Sequence, residues 1–189
     1  MGTKSSAAVS DRTSVRRWAP GVWAAGLCLM TVLTPPAWAA DNCRFLLDSM
    51  LNMMATSVHS YTTMTSDIHP TPTRTEAIWV KGTGYLGVEG KWRRSMTLAE
   101  IKAQSEENLK TQKPVCSVVR DDSVDGQAAT VYIEKSSAGA TLGATIWIAK
   151  GSGMPLKQEI DMNVGGTKGK SHIATRYTYG NVTVPPGVN

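Results

Sequence analysis

The run ATIWIAK (144–150), GSGMP (151–155) and LKQEIDMNV (156–164) decides the fold. Its first part is β-branched and aromatic, the composition of a strand. Its glycine-rich middle is a turn. In the third part Leu156, Gln158, Ile160 and Met162 fall on one side and Lys157, Glu159 and Asp161 on the other. That period of two belongs to a strand with one face covered. Two strands joined by so short a connection lie antiparallel, because a parallel crossover needs about a dozen residues or more.

The same grammar extends both ways. Ser171 to Tyr179 alternates, with Ile173, Tyr177 and Tyr179 on one face. Ala128 to Lys135 places Val131 and Ile133 together, and Cys116 to Asp121 precedes it across Asp125-Gly126. Upstream, Thr75 to Lys81 and Gly84 to Glu89 flank Gly82-Thr83, which reads as a hairpin turn, and Gly90-Lys91 begins another before Trp92-Arg93-Arg94. Val58 to His69 is rich in Thr, Ser and Tyr and stops at Pro70 and Pro72. Small-residue segments at 136–143 and 165–169 read as loops. The total is about eight strands, nearly all on short connections.

Two helices accompany them. Cys43, Leu46, Leu47, Met50, Leu51 and Met54 recur at helical spacing behind Asp41 or Asn42 as cap, over a segment reaching Thr56. Thr97-Leu98-Ala99-Glu100 is a capping box opening a helix that ends near Gln112. Its apolar positions, Leu98, Ile101 and Leu109, are sparse, so it is expected to lie on the surface. Helices beside an antiparallel meander make an α+β layer architecture.

Residues 1–39 read as a secretory signal peptide. Lys4, Arg12, Arg16 and Arg17 precede the apolar run VWAAGLCLMTVL (22–33), and Ala37-Trp38-Ala39 supplies the cleavage site. The apolar run is too short to span a bilayer. Residues 40–189 then form one domain, expected in the periplasm. Four of the 20 Lys and Arg and one of the 15 Asp and Glu fall in the leader, which leaves 16 against 14. A nearly neutral chain removes the motive for a nucleic-acid reading. Cys28 leaves with the leader. Cys43 and Cys116 remain, an even pair in an oxidising compartment, and a disulfide is expected between them, two buried thiols being the alternative.

Catalytic patterns are sparse. No G-x-S-x-G elbow occurs, and the carboxylate pairs Glu106-Glu107 and Asp121-Asp122 sit where solvated acids belong. The 165–170 segment GGTKGK lacks phosphate-loop spacing. His59 and His69 near Met50, Met53, Met54 and Met64 suit copper chemically, but packing accounts for the helical methionines. No metal or cofactor is expected. Trp79, Tyr85, Trp92, Trp147, Tyr177 and Tyr179 are on or beside strands. An antiparallel sheet with one apolar face either packs a core or curls around an apolar ligand. Two helices, one mostly polar, are scant cover for about eight strands, which favours a partly open concave face.

The 144–159 hairpin resembles one typical of the LolA-like superfamily, in which an x-I-W-I-D strand and a T-G-L-P-L-R turn precede a closing Y-x-Y-x-N-V strand. Here the closing strand reads YTYGNV (177–182), and GTGY (82–85) and GKW (90–92) resemble early hairpins of that family. Ala149 stands where the family often has Asp. The resemblance implies a curved, unclosed antiparallel half-barrel with helices as lid. It also implies carriage of lipid or lipoprotein acyl chains in the cell envelope. The expectation is therefore a non-catalytic carrier of an apolar or amphipathic ligand, with a possible envelope protein as partner. Its ligand-facing residues are expected to be Ile78, Trp79, Tyr85, Trp92, Ile146, Ile148, Ile160, Met162 and Tyr177, with the first helix as lid. An envelope interaction domain with a filled core, a small periplasmic hydrolase and a copper-handling protein are the other readings.

Overall fold

The computed structural model describes residues 42–68, 71–135, 143–163 and 169–188. The expected leader at 1–39, His69, and most of the loops expected at 136–143 and 165–169 lie outside the described residues. Helix α1 (Asn42–Ala55) leads into a meander of β1 (Val58–Ser66), β2 (Thr73–Val80), β3 (Thr83–Val88) and β4 (Lys91–Thr97). Helix α2 (Leu98–Gln112) follows. A second meander runs through β5 (Val115–Val124), β6 (Gln127–Lys135), β7 (Gly143–Ala149), β8 (Pro155–Asn163) and β9 (Lys170–Tyr179). The nine strands form one sheet in the order β4-β3-β2-β1-β9-β8-β7-β6-β5, each antiparallel to its neighbours. The first and last strands pair at the centre, and β4 and β5 are free edges. The extra strand relative to expectation is β4, whose Trp92-Arg93-Arg94 read only as the sequel to a turn.

Curvature follows from the connection between those edges. Eight interstrand spacings of about 4.8 Å would set β4 and β5 roughly 38 Å apart in a flat sheet. The link is a helix of 15 residues, about 22 Å long. Lys113 and Pro114 add at most about 7 Å. The edges are therefore closer than a flat sheet allows, and the sheet is an open half-barrel with α2 strung across its mouth. The N-terminal end of α2 is fixed. Thr97 is its cap, its hydroxyl accepting from the Glu100 N–H at 3.3 Å while the Glu100 carboxylate accepts from the Thr97 N–H at 2.7 Å. The Leu98 N–H donates to the Gly82 carbonyl at 2.8 Å. As its sparse apolar positions implied, α2 has no buried residue.

Helix α1 is pinned at three places. The Cys43–Cys116 disulfide joins its first turn to the edge strand β5, with Cα atoms 5.2 Å apart. Arg44 forks onto Glu106 of α2 at 2.9 Å. The Ser49 hydroxyl donates to the Gly153 carbonyl in the β7–β8 turn at 2.5 Å.

Three hairpins turn through two left-handed residues, Lys81-Gly82, Glu89-Gly90 and Asp125-Gly126. This pattern puts the glycine second. The turns expected at Gly82-Thr83 and Gly90-Lys91 therefore each begin one residue earlier.

Paired residues share a face, so the register sorts the side chains. The face toward the helices carries Val58 and Ser60, Trp79, Tyr177 and Thr175, Gln158, Ile160 and Met162, Ile146, and Glu134. Two buried clusters join it to α1: Cys43, Leu46, Cys116, Ile146 and Ile148, and then Met53, Val58 and Trp79. A third cluster, Val124, Ala129, Val131, Trp147, Ala149 and Leu156, is formed largely by residues of the other face. There the Trp147 indole N–H donates to Asp122 at 3.0 Å and the Lys157 ammonium lies 4.2 Å from the ring centroid. Leu156 was expected beside Ile160 and Met162. A register shift between Trp147 and Ile148 instead leaves it unpaired and puts it with Trp147.

Candidate ligand-binding cavity

Between the two helices and the concave face lies a cavity of about 420 Å³. That falls in the range of roughly 300–1,000 Å³ usual for small-molecule sites. Its α1 wall is apolar, with Leu46, Leu47, Met50, Met53 and Met54, while α2 contributes Ile101 and Leu109 together with the polar Ser105, Asn108 and Gln112. These α1 residues face the sheet because they recur at helical spacing, and methionine's unbranched chain lets such a wall adapt its shape. The sheet supplies Trp79, Ile146 and Tyr177 and a band of polar groups, Ser60, Gln158, Thr175 and Glu134.

Most of the polar band is already satisfied within the sheet. The Tyr177 hydroxyl donates to the Gln158 side-chain carbonyl at 2.9 Å, and the Ser60 hydroxyl to the Ala77 carbonyl at 3.2 Å. Thr175 shares a hydrogen bond with Thr62 at 3.0 Å. Burial pushes the Tyr177 phenol well above its ordinary range, so it is a neutral donor. Glu134 differs. Burial raises its carboxyl, and among the described residues no cation or donor pairs with it.

The nine residues expected to face ligand divide three ways. Trp79, Ile146 and Tyr177 line the cavity. Ile148, Ile160 and Met162 lie on the same face but outside its lining. Ile148 is 3% exposed and packs against Cys43 and Leu46, and Ile160 and Met162 sit farther along β8. Ile78, Tyr85 and Trp92 are on the opposite face. Ile78 and Trp79 are adjacent in one strand, so only one of them can point inward. Tyr85 pairs with Ile78, and Trp92 lies over Gly87. These three are therefore removed from the site.

Sequence reasoning missed the polar band. It took the apolar face of β6 from Val131 and Ile133, whereas the cavity side carries Thr130, Tyr132 and Glu134. Among the described residues, which do not include His69, the copper set is not assembled either. Met50, Met53 and Met54 line the cavity, while His59 is on the other face. There His59 bonds Glu76 at 2.8 Å and the Tyr61 hydroxyl at 3.0 Å. Among the described residues no group of three or more His, Cys, Asp or Glu converges to hold a metal, and no helix is long and apolar enough to cross a membrane.

An unclosed antiparallel half-barrel lidded by two helices is the architecture expected from the resemblance of the 144–182 hairpins. No family model and no curated sequence matches the chain. Similar solved structures include the Mycobacterium tuberculosis lipoprotein LppX, 16% identical with a TM-score of 0.46 over 77% of this chain and 96% of that one. The Pseudomonas aeruginosa MucA/MucB complex is similar at 16% identity and a TM-score of 0.45, over 77% of this chain and 59% of that one. A LolA superfamily protein from Nitrosomonas europaea is similar at 12% identity and a TM-score of 0.28, over 74% of this chain and 94% of that one.

Proposed function

We propose that this protein is an exported, non-catalytic carrier that holds an apolar or amphipathic ligand, a lipid or acyl chain, between its helices and the concave face of its sheet. The carrying observation is the cavity of about 420 Å³ with walls of Leu, Met and Trp at the place where a sheet that only packed its helices would be filled. Residues 1–39 act in this reading as the cleaved leader that delivers the domain to the periplasm. The apolar wall supplies the binding free energy, on the order of 0.8 kcal/mol per buried methylene before the costs of association.

Titration with N-phenyl-1-naphthylamine, a neutral dye that brightens in apolar surroundings, tests the reading. Saturable binding to the native protein is expected. Leu47 lines the cavity but belongs to none of the buried clusters, so Leu47→Glu should weaken binding about tenfold or more while the protein stays folded. Asn52→Glu, exposed on the same helix, should change little. A folded protein with no saturable dye binding overturns the carrier reading and returns the concave face to ordinary core.

A further inference from the structure

We infer that the cavity selects amphipathic ligands whose polar end is cationic or a hydrogen-bond donor, and discriminates against those ending in a carboxylate, with Glu134 as the selecting group. This rests on the carrier reading above and adds the chemistry of the ligand's head. Glu134 is the one carboxylate among the described residues lining the cavity, and that lining contains no Lys or Arg. Its register partners are Cys116 on β5 and Ala144 on β7, neither of which offers it a charge. On the sheet side the neighbouring polar groups are paired with each other, Tyr177 donating to Gln158 and Thr175 bonding Thr62, while the uncharged Ser105, Asn108 and Gln112 of α2 line the same cavity.

An acceptor half withdrawn from water without a partner is a cost that the empty cavity bears and that a suitable ligand removes. A protonated amine relieves it with a charge-assisted hydrogen bond, and a hydroxyl relieves part of it. A carboxylate head brings a like charge into the same low-dielectric space. Glu134 lies at the end of the cavity beside Pro114 and the disulfide, while Trp79 and Met53 lie toward β2, so a ligand with its head at Glu134 runs its tail along the methionine wall. Outside residues 1–39 the chain is nearly neutral, with 16 Lys and Arg against 14 Asp and Glu, so its overall charge gives no preference for cations and one has to come from the site.

Displacement of the bound neutral dye by dodecylamine, dodecanol and laurate at pH 7.5, each below its micelle concentration, tests this. The three share a tail and differ only in the head. Dodecylamine should displace the dye at concentrations about tenfold or more below laurate, with dodecanol between, as one charge-assisted hydrogen bond supplies. Glu134→Gln, close in shape, should bring amine and laurate together while dye affinity and folding persist. Glu107→Gln, an exposed change on α2 outside the cavity, should leave the preference intact. Equal displacement by amine and laurate, a laurate preference, an amine preference surviving in Glu134→Gln, or one lost in Glu107→Gln overturns the inference and leaves the carrier reading standing. Failure of the dye itself to bind overturns the carrier reading and this inference with it.

Discussion

Reduction of the Cys43–Cys116 bridge is expected to lower the melting temperature by roughly 4–16 °C, and the size of that shift follows from where the bond sits. The two cysteines are 73 residues apart. The loop they close contains β1 to β4 and nearly the whole of both helices. Closing a loop of that length in the unfolded chain removes conformational entropy equivalent to about 4 kcal/mol at 25 °C, an upper figure since measured values cluster at about 2–4. For a domain of this size each kcal/mol moves the midpoint by roughly 2–4 °C. The start of α1 is otherwise held by the packing of Leu46 and by the Phe45 ring, 5.7 Å from that of Tyr132. The Arg44 pairs with Asp48 and Glu106 face solvent, where water and salt screen them. The assay compares oxidised wild type, wild type unfolded and refolded in reductant, and the Cys43→Ala/Cys116→Ala double variant. The reduced wild type keeps both sulfur atoms, so it isolates the cross-link from the lost packing of the alanines. Cys116 is 1% and Cys43 7% exposed, so reductant added to the native protein should act only as fast as the α1–β5 contact opens. A midpoint within about 2 °C of the oxidised protein in the reduced wild type refutes the reasoning.

Two further outcomes are expected. Gly84→Ala would set a Cβ 3.0 Å from the Trp79 ring and 3.0 Å from the Met96 carbonyl oxygen, so it should cost about 1–3 kcal/mol in urea unfolding and weaken dye binding by displacing Trp79. Glu134→Gln should stabilise the unliganded protein at neutral pH. Burial holds the native carboxyl above its unfolded value, so wild type loses stability as pH rises from the unfolded carboxylate range through the raised native one, whereas glutamine carries no such loss. The variant's advantage in urea unfolding should be present at pH 7.5 and absent below the unfolded carboxylate range.

The elements of this fold were legible where local chemistry sufficed. The capping box at Thr97 and Glu100 and the helical recurrence from Cys43 to Met54 marked both helices, and alternation in 156–164 and 171–179 marked the strands that carry the resemblance. Facing was harder. Trp79 and Ile78 are equally apolar neighbours, and what turns Trp79 inward is its pairing with Val58, a contact between strands that neither segment announces. Leu156 was misplaced because a one-residue register shift reverses facing without altering the pattern. Glu134 carried no signal at all. A glutamate near a strand's end reads as solvated, and only the helices packed opposite make it half-buried.

The sheet's strand order also governs when it can form. β1 to β4 and β5 to β9 are two local meanders, each able to zip from its own hairpins. They become one sheet only where Val58 meets Tyr179 and Met64 meets Ile173. That seam joins the first strand to the last, the most distant strands along the chain, and it lies in the middle of the sheet. Contacts of such long sequence separation form late, because the loop entropy must be met before they stabilise anything. A chain that emerges N-terminus first, as in synthesis, therefore cannot close its sheet until β9 has followed, however early the two meanders zip.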